Sequence, residues 1–341
     1  MFAAMASVAF ASCVKNEPAF SVAEEDAIVF NSPVMGVPTK GVEMGKTYTG
    51  KGFTVYGWYH TAAFQSITTA TAYMKGVAVT AENPAGDYGT DGTGTYRPET
   101  AYYWPKNGKL SFVAYSPTEV PDEVLLAPTC SDPKTLSLTF TASVDPTKQV
   151  DLMYSDWAVD RTSSVGDPGG FGGVDIVFNH ALSVIYVDIK AEDDAAAGAI
   201  KLKSVTLGGV QNHGTINLTP DTVHSAKWAL EAGDVTYTLL ADKVDAAHSE
   251  EISKEGKNYA NYIVMPQQLD EASEITIEWY LKHGEDWLEQ TSVVELKTAE
   301  PTSWERNKRY FYTITMGVDA IYFAPRVTDW VNDVKQEILS K

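Results

Sequence analysis

Apolar positions along this chain recur with a period of two, in short runs closed by turn residues. That is the pattern of half-buried β-strands. In the first half it predicts strands at 53–59 (FTVYGWY), 71–80 (TAYMKGVAVT), 109–116 (KLSFVAYS) and 135–142 (TLSLTFTA). In the second half it predicts them at 174–191, 199–209, 214–218, 234–241, 261–266, 274–282, 291–297 and 309–317. Within 174–191, Leu182, Val184, Tyr186 and Asp188 take one face while Val187 and Ile189 supply the other, so this strand is expected to be covered in part on both sides. Asn83-Pro84-Ala85-Gly86, Asn107-Gly108 and Asn212-His213-Gly214 read as turns, with Asn107-Gly108 expected to reverse the chain tightly. Helical spacing is confined to the C-terminus, where Trp330, Val334 and Ile338 stand at i, i+4 and i+8. A short helix and a frayed tail both fit there. The fold class predicted is all-β, built as sandwiches.

The stretch DRTSSVGDPGGFGG (160–173) has no apolar period, is rich in Gly, Ser, Asp and Pro, and has strands on both sides. It reads as a linker between two domains at 14–165 and 166–341, or else as a long surface loop. The chain length of 341 residues suits about two domains. The first 13 residues stand apart. Phe2 to Ser12 is uncharged and too short to span a bilayer as a helix, which takes about 20 residues, but it has the length and small-residue ending of a signal-peptide core. Phe10-Ala11-Ser12-Cys13 resembles a bacterial lipobox, which would make Cys13 the lipidated first residue of an exported protein. No basic residue precedes the apolar run, a departure that a start codon placed too late would explain.

Composition narrows the chemistry. A net charge of -19 repels phosphate backbones and argues against nucleic acid as a partner. With Cys13 lipidated, Cys130 has no intramolecular partner, so the cores must suffice without disulfides. The six histidines form no His-Glu-x-x-His element, and no serine sits in a Gly-x-Ser-x-Gly elbow. GVEMGKT (41–47) is one residue short of a phosphate-binding loop between Gly41 and Gly45. DYGTDGTGT (87–95) has Asp87, Asp91 and Gly92 of a calcium loop, but Gly89 and Pro98 stand where oxygen ligands belong. Tyr102, Tyr103 and Trp104 suit either sugar stacking or the bracing of a sheet edge. His180 reads as a structural hydrogen-bonding residue. No enzyme, cofactor or metal site is predicted.

Several stretches together resemble the fimbrillin family, the subunits and accessory proteins of type V pili. They are AIVFNSPVMGVPTKG (27–41) followed by FTVYGWY, then AYYWPKNGKLSFVAYSP (101–117), VFNHALSVIYVDIKA (177–191), NYIVMPQQL (261–269) and WERNKRYFYTITMGVDAIYFAPRVTDW (304–330). The resemblance implies two tandem transthyretin-like β-sandwich domains, export as an outer-membrane lipoprotein anchored through Cys13, and polymerisation with other fimbrial subunits on the cell surface. It also leaves room for a host or bacterial surface ligand. In the family a protease removes an N-terminal strand, and a neighbour's strand fills the groove by donor-strand complementation. Processing there follows an arginine. The first arginine here is Arg97, and Lys40 stands where the family often has a basic residue, which leaves a tip or anchor position open beside a stalk one. The alternative function is a surface lipoprotein that binds glycans for uptake.

The residues themselves suggest where such processing would act. Ala27 to Phe30 is a short apolar strand set off by Pro33, Gly36, Pro38 and Gly41, and Lys40-Gly41 is a basic site on that tether. The candidate donor is AIYFAPRVTDW (320–330), with Ile321, Phe323, Val327 and Trp330 as pocket-filling side chains and Pro325 expected to split it into two short strands.

Overall fold

Alternation becomes strand nearly everywhere the sequence carries it. The computed structural model describes residues 27–35, 48, 52–81, 95–162, 173–298 and 300–330. The first half contributes β1 (Phe30–Asn31), β2 (Val34–Met35), β3 (Gly52–His60), β4 (Thr71–Ala81), β5 (Thr95–Pro98), β6 (Lys109–Ser116), β7 (Leu126–Asp132), β8 (Thr135–Thr141), β9 (Met153–Ser155), β10 (Ala158–Arg161) and β11 (Val177–His180). There follow β12 (Ser183–Ala191), the short helix α1 (Asp194–Ala199), β13 (Ile200–Gln211), β14 (His213–Leu218), β15 (Ala229–Leu230), β16 (Asp234–Leu240) and β17 (Glu250–Glu251). The chain closes with β18 (Lys257–Val264), β19 (Glu274–His283), β20 (Asp286–Glu295), β21 (Lys308–Met316) and β22 (Ile321–Asp329). The protein is all-β in architecture, as its alternation predicts, with α1 as the α-helix among the described residues. Asp193 caps α1 by accepting a hydrogen bond from the Ala196 amide at 2.7 Å.

Four sheets enclose three hydrophobic cores. A nine-stranded sheet runs β1-β5-β4-β3-β6-β9-β11-β2, with β10 also on β6. A four-stranded sheet, β15-β14-β8-β7, packs across from it. The remaining two sheets, β18-β12-β21-β22 and β16-β13-β19-β20, face each other as a sandwich. Burial follows these layers. On β8, Leu136, Leu138 and Phe140 point into a core and the threonines and serine between them do not. On β6 nearly every side chain is buried, because Leu110, Phe112 and Ala114 face one core while Val113 and Tyr115 face the next.

The run at 174–191 is two strands rather than one. It breaks at Ala181-Leu182, where the chain leaves the nine-stranded sheet after β11 and enters the sandwich at β12. The apolar run is unbroken because both residues remain buried at the change-over, with the Ala181 amide donating to Leu152 O at 2.8 Å and Leu182 O accepting from the Asn307 amide at 2.9 Å. The first described strand beyond 166 therefore lies in the same sheet as β3 and β6. Strand β14 crosses in the same sense, pairing along its length with β8 of the first half from His213↔Thr141 to Leu218↔Leu136.

Two turn expectations change. Asn107-Gly108 does not close a two-residue hairpin. It ends a longer connection from β5 and places Gly108, at φ 85°, where a Cβ would stand 2.5 Å from the Tyr59 ring. Asn212-His213-Gly214 is a corner between sheets. Asn212 alone separates β13 from β14, and its side chain donates to Ala142 O at 2.8 Å. The C-terminal helical spacing falls at 331–341, outside the described residues.

Candidate assembly strand and its slot

Ala27 to Met35 is bonded on both sides. On one side Ala27 bridges Tyr103, the Ile28 amide donates to Tyr102 O at 2.7 Å, and Phe30 and Asn31 pair antiparallel with Tyr96 and Thr95 of β5. On the other side Val29 O accepts from the Val174 amide at 2.8 Å, the Asn31 amide donates to Val174 O at 3.0 Å, and β2 runs parallel to β11. β1 and β2 are the two ends of the nine-stranded order and lie two residues apart, so this segment closes the sheet upon itself. Edges that would otherwise be open at β5 and β11 are covered by it.

Its side chains are plugs. Ile28, Phe30 and Met35 are buried, and Phe30 meets the rings of Phe53 and Phe112 edge-on, each at 5.6 Å between centroids. Tyr48 stacks on Phe178 at 5.1 Å and meets Ser116 Oγ through its hydroxyl at 2.5 Å. Asn31 holds the far side with Nδ2 donating to Asp175 Oδ1 at 2.6 Å and Gly173 O at 3.2 Å. Gly173 has φ 122°, and a Cβ there would stand 2.7 Å from Val29 O. A glycine is what lets the two backbones approach so closely. Lifting the segment out would bare Phe53, Phe112 and Phe178 between two unpaired strand edges.

The second candidate, the donor stretch, is housed in its own molecule. β22 is a single strand paired with β21 from Lys308↔Asp329 to Met316↔Ile321, and Pro325 does not split it. Because β22 is the last strand of its sheet, a missing N–H is tolerated there. Ile321 and Phe323 pack half-buried on the sandwich core, the Phe323 ring stacking on Tyr312 at 5.4 Å, while Val327 is exposed. Trp330 lies beyond the strand, buried, with its ring flat on His180 at 3.9 Å and its amide donating to Asn307 O at 2.9 Å. Ile321, Phe323 and Val327 share one face of the strand, and Trp330 falls out of phase with them.

Residues 41–330 match the family described as Fimbrillin-like. The chain belongs to the fimbrillin-like family. This is a family of fimbrial-type proteins that are typically non-enzymatic. Two solved structures share the fold. One, a candidate cell adhesion protein from Bacteroides uniformis, is 17% identical with a TM-score of 0.55, and the match covers 91% of this chain and 100% of that one. The other, a fimbrial protein from Bacteroides vulgatus, is 15% identical with a TM-score of 0.64, covering 90% and 100%. No curated protein matches the sequence.

The remaining candidates of this fimbrillin-like chain are placed as follows. Tyr102 and Tyr103 brace the incoming segment through their backbones, with the Tyr73 hydroxyl donating to Tyr103 O and the Tyr73 ring edge-on to Tyr102 at 6.1 Å. Trp104 packs edge-on to Phe112 at 6.1 Å. His180 is buried, its Nδ1 paired with Asp151 Oδ1 at 2.8 Å. Among the described residues no three His, Cys, Asp or Glu side chains gather closely enough to hold a metal ion, and no helix is long and apolar enough to cross a membrane. Cys13, Lys40, Gly41, the 41–47 loop and residues 87–94 lie outside the described residues.

Proposed function

We propose that this protein is a subunit or accessory protein of a type V fimbrium that assembles by exchange of strands. The observation that carries this reading is the segment Ala27–Met35, which lies between β5 and the residues at 174–178, bonded to both, with Ile28, Phe30 and Met35 filling pockets. Cutting after Lys40 would free that segment from the rest of the chain. The slot then offers two strand edges and a row of aromatic pockets, which is what an incoming extended strand from a second subunit requires. β22 is the proposed donor, with Ile321, Phe323 and Val327 as the plugs and Trp330 as a flanking contact. It is an edge strand held on one side, so leaving its place costs one ladder with β21 and the packing of Phe323 on Tyr312. Export and anchoring would rest on lipidation of Cys13 at the outer membrane.

Digestion with a lysine-specific protease, followed by gel filtration and unheated denaturing electrophoresis, tests the assembly. Loss of residues up to Lys40 should be accompanied by a ladder of higher species. A trimmed protein that stays monomeric overturns the stalk-type reading and leaves a tip or anchor position. The anchor is tested separately in cells, where Cys13→Ser should abolish incorporation of labelled fatty acid; normal labelling of that variant rules Cys13 out.

A further inference from the structure

A cleft of about 680 Å³ opens where the two halves of the chain meet, walled by Tyr154, Trp228 and Trp304. Its walls are held in place. The Trp228 indole donates to Ala181 O at 2.8 Å, and the Trp304 indole donates to the Tyr312 hydroxyl at 2.7 Å. Its charge runs against that of the molecule. In a chain of net charge -19, His224, Lys227, Arg306 and Lys308 line the cleft against one carboxylate, Glu305.

Two of these groups are already committed. Lys308 is paired with Asp329, and His224 lies 3.4 Å from Asp156. Arg306 has only neutral partners among the described residues. Its Nη1 donates to the Tyr154 hydroxyl at 2.5 Å and to Val223 O at 3.1 Å, and the guanidinium lies 5.1 Å over the Tyr154 ring. Those bonds use one of its nitrogens and leave Nε and Nη2 accessible, without a partner among the described residues. Lys227 is exposed at the rim and makes no ion pair among the described residues.

A guanidinium stays charged at any physiological pH, and placing it half-buried without a counter-ion is costly unless something else supplies the anion. Its forked donors match a carboxylate. Lys227 lines the same cleft and adds a second positive charge to it. The rest of the lining mixes apolar Ala226, Leu230 and Pro266 with the hydroxyls of Ser225 and Ser303 and the amides of Asn179 and Gln268, whose NH2 groups are bonded to Asp156 and to Thr302 O, leaving their oxygens to accept from a hydroxyl. Sugar acids combine one carboxylate with several hydroxyls and so match this lining.

We propose that this cleft binds an acidic sugar, of the hexuronic acid class, with Arg306 and Lys227 on its carboxylate and with Ser225, Ser303 and the amide oxygens of Asn179 and Gln268 on its hydroxyls. The site is separate from the slot closed by Ala27–Met35, so it is tested on the untrimmed monomer. Sodium glucuronate is titrated while tryptophan fluorescence and heat are followed, with glucose and acetate as probes of the sugar and of the carboxylate alone. Glucuronate should saturate, and glucose and acetate should each bind at least about tenfold more weakly. Arg306→Gln should abolish glucuronate binding. Lys227→Gln, at an exposed position that leaves the thermal midpoint unchanged, should weaken it several-fold. Absence of saturation with glucuronate, equal binding of glucuronate and acetate, equal binding of glucuronate and glucose, or wild-type affinity in Lys227→Gln would each overturn the proposal.

Discussion

At the scale of single residues, a few side chains decide whether the segments meet at all. Phe30 is fully buried with its ring against Phe53 and Phe112, and it anchors the closing segment together with Ile28 and Met35. Phe30→Ala should lower global stability by about 3–5 kcal/mol, the usual cost of emptying an aromatic site. Denaturant unfolding measures this, and amide exchange over 27–35 should speed up with it. A loss of only ~0.5 kcal/mol, typical of a surface change, would show that the segment is not integrated. Gly209 plays a comparable part in the sandwich. It sits at φ 65° in a register shift of β13, where a Cβ would stand 1.7 Å from Ala272 O. Glycine pairs invite a turn assignment from sequence, yet here the strand passes through Gly208-Gly209 to Gln211, because only a residue without a side chain lets the neighbouring loop close on it.

At the scale of elements, the legible strands were those with their own alternation. β3, β4, β6 and β8 fall within a residue or two of their apolar runs. β5, β7, β9 and β10 were not legible, because they are short or carry Pro98 and Pro128, and their place is set by the strand beside them. β20 begins earlier than its apolar run, since the turn at Gly284, φ 62°, lets Asp286 pair with His283 regardless of polarity. The sequence marks β22 as a candidate donor within the family's closing strands, and in the monomer it completes its own sheet. Its edge position, bonded on one side, is the property that the proposed donor role requires.

At the scale of the whole molecule, the middle core joins the two halves. Val113 and Leu138 of the first half meet Leu182, Ile216, Met265 and Trp330 of the second there. Gln149 reinforces the junction, accepting from the Ile263 amide at 2.7 Å and donating to its carbonyl at 2.9 Å. Each of the three cores contains a tyrosine, Tyr48, Tyr154 or Tyr310, whose phenol burial pushes up to about 12. In the unfolded chain such a phenol loses its proton near pH 10. Below that pH both states hold the proton and the stability is fully present. Between about 10 and 12 the native state binds more protons than the unfolded one, so stability falls as pH rises. Spectrophotometric titration should therefore show late tyrosinate formation coinciding with loss of the β-sheet circular dichroism signal. Complete ionisation near pH 10 with the fold intact would contradict the burial of these phenols.

The sequence alone determined the all-β class, most of the long strands, the lack of a recognisable catalytic motif and the family resemblance, because period-two alternation, turn residues and motif order are local properties of a chain. It also singled out Ala27–Phe30 as a separate strand from its flanking Pro and Gly. Only the tertiary structure decided that this strand closes a sheet between β5 and the residues at 174–178, that β14 completes a sheet with β8, and that Arg306 meets Tyr154 across the cleft. Those pairings join residues as much as 152 positions apart, in the case of Arg306 and Tyr154. Alternation marks which face of a strand is buried, but any apolar face can cover any other. The choice among partners comes from the closure of whole cores, which no stretch of sequence carries by itself.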